Sequence, residues 1–157
     1  MQQTIQSFLD QPKIAVAGAS VNPANFGRSL VVELAKLDYD VYPVNPGYPE
    51  VEGRTCVPTV KDLPEDVENL ILAVPPHLTD EIIEDCIGSS VKRVWMIQGV
   101  GRGAYSTAAH EKCKANGMNV VYGFCPMMFF GKGLHRFHFW LRKRFGKIPP
   151  EFKLSVN

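Results

Sequence analysis

The sequence predicts an α/β domain built on a doubly wound, mainly parallel sheet of about five strands, with a helical extension at its carboxyl end. Three observations lead there. Short apolar runs alternate with segments of helical period through residues 1–130. The runs are rich in Val, Ile and Leu, as in strands buried on both faces of a parallel sheet. Most end in Gly or Pro, which punctuate a strand–loop–helix alternation.

In chain order, residues 13–18 form a buried strand that stops at Gly18. Over 29–37, Leu30, Val31, Leu34 and Leu37 share one helical face, and Asn25 is placed to cap the helix start. Residues 40–44 form a second strand, with Pro43 marking an edge position or a strand end. Residues 45–58 read as loop and 59–63 as a short helical turn. A third strand covers 69–74 and closes at Pro75-Pro76. Leu78, Ile82, Ile83, Cys86 and Ile87 then line one side of a helix. Residues 93–97 form a fourth strand, ended by Gln98-Gly99. Residues 106–116 form a helix stopped by Gly117, and 119–122 a fifth strand. Over 133–146, Leu134, Phe137, Leu141 and Phe145 make an apolar stripe beside Trp140, opposite Arg136, Arg142, Lys143 and Arg144. Residues 1–130 are read as one domain and 131–157 as a basic aromatic extension packed on it, not an independent domain.

Composition bounds the function. The 157 residues carry 45% hydrophobic and 21% charged side chains, the balance of a globular domain. A formal net charge of +1 gives no global attraction to nucleic acid, and no DNA partner is expected. The basic helix over 133–146 suits an anionic membrane or RNA in composition. A helix docked on the domain or on a second copy is the expected outcome, which makes a homodimer plausible. No two of Cys56, Cys86, Cys113 and Cys125 stand in a C-x-x-C pair. The first residues do not follow a signal-peptide pattern. A cytoplasmic protein with reduced thiols is expected. His135 and His138 have no further ligands nearby in sequence, so no metal site is expected.

In open parallel sheets, ligands bind beyond the carboxyl ends of the strands, where strand order reverses. After the first strand, small residues and a helix start follow in Gly18, Ala19, Ser20, Asn22 and Arg28. Such a turn lets backbone amides and a helix amino end meet a phosphate, and Arg28 adds a planar cationic fork. The competing reading is a plain tight turn with a helix cap. Ser20 stands where a nicotinamide-binding loop has its second glycine. Val44, Asn45 and Pro46 end the second strand where an NAD protein carries an acidic residue. Val74 and Pro75 follow the third strand, and Gln98 and Gly99 the fourth, where the plain alternative is again a connecting turn.

Taken together these strand ends resemble a known family, the stand-alone CoA-binding proteins, similar to the amino-terminal domain of succinyl-CoA synthetase alpha chains, with a Rossmann-like fold. The resemblance is carried by Gly18-Ala19-Ser20 with Asn22-Pro23, Tyr42-Pro43-Val44-Asn45-Pro46, Gly53-Arg54-Thr55, Pro58-Thr59-Val60, Leu63-Pro64, Ala73-Val74-Pro75-Pro76 and Trp95-Met96-Ile97-Gln98-Gly99. It implies coenzyme A, or an acyl-CoA, as ligand. Gly18, Ala19, Ser20 and Asn22 would sit at the phosphates with Arg28 supplying charge. Val44, Asn45 and Pro46 would meet the adenosine, and Thr59 the nucleotide. Val74 and Pro75 would line the site, and Gln98 and Gly99 would approach the pantetheine arm. Past the fifth strand the chain departs from the family pattern at Phe124-Cys125-Pro126-Met127-Met128 and enters the aromatic tail.

No catalytic residue is assigned. Neither His77 nor His110 matches the phosphorylated histidine of the synthetases, which belongs to a separate domain. Cys125 lies near the expected ligand edge and is read as an inert packing cysteine, against the alternative of a mixed disulfide with CoA. The expected role is a non-catalytic carrier, sensor or regulatory module. The alternatives are an NAD(P)-dependent oxidoreductase and a nucleotide-binding interaction scaffold.

Overall fold

The computed structural model describes residues 1–98, 103–130, 149 and 152. The elements run α1 (Gln2–Asp10), β1 (Lys13–Ala17), α2 (Phe26–Ala35), β2 (Asp40–Val44), β3 (Glu50–Val51), β4 (Arg54–Thr55), a 3-10 turn (Val60–Asp62), β5 (Asn69–Leu72), α3 (Pro76–Cys86), β6 (Arg93–Met96), α4 (Thr107–Ala115), β7 (Asn119–Tyr122) and α5 (Met127–Phe130). Among the described residues, β2, β1, β5, β6 and β7 pair in that order, all in parallel. This is a Rossmann-like α/β fold. The predicted helix over 133–146 and Gly99 lie outside the described residues.

Side chains alternate across the sheet because successive Cβ atoms point to opposite faces. Ile14, Val16, Ile71, Trp95 and Val121 join one apolar cluster with Ile5, Phe8, Leu30, Val31, Leu34 and Phe130, so α1, α2 and α5 cover that face. Ala15, Ala17, Leu70, Leu72, Val94 and Met96 join the other with Ile83, Cys86, Ala109 and Cys113, beneath α3 and α4. Trp95 is fully buried, meets Phe8 edge-on at 5.3 Å, and donates its indole N–H to the carbonyl of Phe124 at 3.1 Å. The polar atom of a buried indole is thereby satisfied.

Several boundaries differ from those read in sequence. α2 begins at Phe26, three residues earlier than the apolar stripe indicates, because the Asn25 cap sets its start. The expected loop contains the antiparallel hairpin β3–β4, too short to show a period. α1 and α5 lie outside the helices expected from sequence: α1 is held by the burial of Ile5 and Phe8, and α5 is about one turn that buries Met127, Met128 and Phe130. On α3 the buried residues are Thr79, Ile83 and Cys86, while Leu78 and Ile87 of the expected apolar face are exposed. Thr79 enters the core because its hydroxyl donates to the carbonyl of Ala104 at 2.8 Å. Ile87 lies past the last turn in extended conformation. Pro43 does sit on an edge strand, as expected.

Candidate functional site

The chain leaves β1, crosses through α2 to β2 on one side, then returns to β5 on the other side of β1. Strand order therefore reverses at β1 and β5, and the crevice beyond their carboxyl ends is the place the fold offers a ligand. Gly18 occupies it. Its amide donates to the carbonyl of Val44 at 3.3 Å, and the Ala73 amide donates to the carbonyl of Ala17 at 2.9 Å. With φ at +89°, a Cβ on residue 18 would stand 2.5 Å from the Ala73 carbonyl oxygen and 2.6 Å from Cγ1 of Val74. Only glycine meets both demands.

The following loop is organised by asparagines. Asn25 Oδ1 accepts the amides of Ser20 at 3.2 Å and Arg28 at 2.7 Å, so one side chain caps α2 and ties the loop down. Asn22 Oδ1 accepts the Ala24 amide at 2.9 Å, and the Asn22 amide donates to Ser20 Oγ at 3.3 Å. Gly27 brings α2 against the loop: a Cβ there would lie 2.8 Å from both the Ala19 nitrogen and the Gly18 oxygen. The amides of Phe26 and Gly27, the first two of the helix, have no hydrogen-bond partner among the described residues. Open amides at the positive end of a helix dipole suit an anion.

The β2 end joins the same place. Asn45 donates through Nδ2 to the Ala19 carbonyl at 2.6 Å and accepts the Gly47 amide at 2.8 Å. Its side chain thus ties the two strand-end loops together. Pro46 follows it, exposed. Val74 is half-buried beside Gly18, and Pro75 forms the amino-terminal boundary of α3. The Gln98 side chain is exposed, and the backbone N–H of Gln98 donates to the Phe124 carbonyl at 3.4 Å, toward β7 rather than β1. Thr59 caps the 3-10 turn: its hydroxyl donates to Asp62 Oδ2 at 2.8 Å and accepts the Lys61 amide at 3.2 Å. Gly18, Ala19, Ser20, Asn22, Arg28, Val44, Asn45 and Val74 are therefore brought to one crevice. Gln98 stands further along the same sheet edge, and the Thr59 hydroxyl is occupied within its own turn.

Arg28 does not stand alone. Its Nε donates to the carboxylate of Glu52 in the β3–β4 turn. Glu52, Asn25 and Gly27 carry little site signal in sequence: Asn25 reads as a cap, Gly27 shows no feature until the helix start is located, and Glu52 is paired by tertiary structure alone.

Three of the thiols are held in the protonated form. Burial pushes Cys86 up to about 12 and Cys113 to about 11, and burial followed by the charge of Glu50 raises Cys56. Cys125 is half-buried against the cluster that contains Trp95. Among the described residues no three His, Cys, Asp or Glu side chains group to hold a metal, and no helix is long and apolar enough to cross a membrane.

Fold and crevice define the class: a Rossmann-like domain whose switch point is lined by glycine, open amides and an arginine. Residues 12–130 match the family described as CoA binding domain, and the chain belongs to that family. It is 25% identical over 155 residues to the ADP-forming acetate–CoA ligase of Methanocaldococcus jannaschii, covering 95% of this chain and 21% of the ligase. The chain thus spans about a fifth of that relative's length. A solved structure of a hypothetical protein from Pyrococcus horikoshii OT3 superposes with a TM-score of 0.73 at 37% identity, covering 81% of this chain and 87% of that one. The dinucleotide-forming acetyl-coenzyme A synthetase 1 of Ca. Korarchaeum cryptofilum gives a TM-score of 0.64 at 28% identity, covering 74% of this chain and 26% of that one.

Proposed function

We propose that this protein binds coenzyme A, or an acyl-CoA, at the switch-point crevice and serves as a carrier, sensor or regulatory module without chemistry of its own. The observation that carries the reading is the convergence of Gly18, the open amides of Phe26 and Gly27, and Arg28 at the point where strand order reverses. Gly18 and the open amides fit a pyrophosphate through close backbone approach and donors at a helix amino end, and the Arg28 guanidinium supplies a planar donor for a further phosphate. Ser20 and Asn22 adjoin the phosphates. Val44, Asn45 and Pro46 flank the adenosine, with Thr59 nearby. Val74 and Pro75 form a wall, and Gln98 and Gly99 approach the pantetheine arm. Coenzyme A would supply the thiol that carries an acyl group.

An NAD protein needs an acidic side chain for the ribose after β2. Asn45 stands there instead, with its amide already bonded to Ala19. The same reading puts the protein in the cytoplasm, where its thiols remain reduced, and pairs it with a second copy through the aromatic carboxyl-terminal stretch. Light scattering at micromolar concentration tests the pairing, and a monomer mass there would refute it.

Thermal unfolding with CoA, acetyl-CoA, dephospho-CoA, NAD and ATP in parallel tests the ligand. At about a hundred times the dissociation constant a ligand stabilises by roughly 2.7 kcal/mol, visible as a rise in Tm. CoA is expected to raise Tm and NAD to leave it unchanged. No rise with any CoA species, in protein shown to be free of co-purified ligand, would overturn the reading.

A further inference from the structure

The pairing of Arg28 with Glu52 has a geometry that a surface ion pair does not require. Glu52 and Gly53 are the central residues of the β3–β4 turn, and both have positive φ, +54° and +70°. Hairpin turns of that kind favour Asn or Gly at the first central position, not a long side chain. Glu52 therefore holds a conformation that its backbone resists, and its carboxylate reaches across to Nε of Arg28 on α2. The hairpin is firmly anchored behind it: Val51 is buried, the Cys56 amide donates to the Pro49 carbonyl, and Val57 bridges in parallel to Val44 at the end of β2. Each side chain of the pair is 29% exposed.

Among the described residues, only Nε of the guanidinium is engaged. Neither Nη of Arg28 has a partner among the described residues. The terminal fork, the edge that binds phosphate in bidentate fashion, remains available while the side chain is tethered. The tether joins α2 to the hairpin that follows β2. In dinucleotide folds the end of β2 is where the ribose lies, and an arginine nearby accommodates a ribose phosphate.

We propose that Glu52 is a positioning residue that holds Arg28 for the ribose phosphate of the ligand, and so sets the preference for a 3′-phosphorylated coenzyme over its dephosphorylated form. The inference rests on the proposed CoA reading. It goes further in assigning that preference to a residue that does not touch the ligand. A pre-oriented guanidinium loses less side-chain freedom on binding than a mobile one.

Two variants test it by calorimetric titration with CoA and dephospho-CoA. Glu52→Gly removes the carboxylate and relieves the positive φ, so the fold is retained. Glu52→Gln keeps an acceptor at the same reach. Glu52→Gly is expected to weaken CoA about three- to tenfold, the size expected for ordering one long side chain, and to change dephospho-CoA less than about twofold. Glu52→Gln is expected to restore part of the difference. In an Arg28→Ala background, Glu52→Gly is expected to have no further effect, since the two then act through one group. Tighter CoA binding by Glu52→Gly would mean that the carboxylate competes with the phosphate, and would overturn the inference. So would an equal loss for both ligands. Failure of the unsubstituted protein to bind CoA would instead refute the CoA reading itself.

Discussion

At the level of single residues, the crevice depends on a few positions with no tolerance for change. Gly18→Ala places a methyl group against the Ala73 carbonyl at a φ that L-residues avoid. It should lower stability by roughly 1–3 kcal/mol by chemical denaturation and abolish the Tm rise with CoA, because the loop must shift. Asn25→Ala removes the acceptor shared by the Ser20 and Arg28 amides. A loss of about 1 kcal/mol is expected for the cap, together with weaker CoA binding from a loosened phosphate loop. Unchanged CoA affinity in Asn25→Ala would show that the loop keeps its shape without that side chain. Ser20, Asn22 and Asn45 illustrate why residue roles are hard to read from order alone. Each lies at the expected strand end, yet each makes hydrogen bonds to neighbouring backbone that shape the loop before any ligand arrives.

Among the elements, α3 and α1 carry the main lessons. The expected apolar stripe of α3 keeps Ile82, Ile83 and Cys86 against the sheet, but its first position is taken by Thr79, which satisfies its hydroxyl inside, while Leu78 remains outside. Thr79→Val keeps the shape but leaves the buried Ala104 carbonyl without that donor, and should cost about 1–3 kcal/mol in a urea titration. α1 buries Ile5 and Phe8, and Phe8 abuts the fully buried Trp95 of β6. Phe8→Ala should destabilise by about 3–5 kcal/mol. A change below about 1 kcal/mol would show that α1 is only loosely attached. The strands were legible as continuous apolar runs, and α2 and α3 from apolar residues recurring on one face. α1, equal to α4 at nine residues, buries only Ile5 and Phe8, while the β3–β4 hairpin and α5 are too short to show a period; their conformations follow from what they pack against.

For the whole molecule, the apolar layer beneath α3 and α4 keeps the thiols of Cys86 and Cys113 out of water and protonated well above their ordinary range. An unfolded thiol ionises near its usual value of 9.0, whereas these two do so at about 12 and about 11. Above pH 9 the unfolded chain releases protons that the folded one retains. This contribution therefore makes stability fall as pH rises from about 9 toward 11, and leaves it unchanged below about 8. Urea midpoints from pH 7 to pH 11 check the direction, with Cys86→Ala/Cys113→Ala protein as the reference expected to show a shallower decline. The same burial predicts that a thiol reagent at pH 8 modifies these two residues only on unfolding.

Amino-acid order alone was sufficient for the fold class. Runs such as Ile14 to Gly18 and Val94 to Ile97 are apolar throughout, and a parallel sheet covered on both faces buries such runs. It was also sufficient for the family, because Gly18, Asn45-Pro46 and Pro75-Pro76 recur at strand ends in a set order. It was silent on how those ends interlock. That Asn45 reaches Ala19, that Gly27 presses α2 onto the Gly18 loop, and that Arg28 is held by a carboxylate 24 residues away all depend on contacts between segments distant in the chain. Such contacts leave no periodic trace in the sequence. They exist only once the sheet has closed and set the distances between its loops.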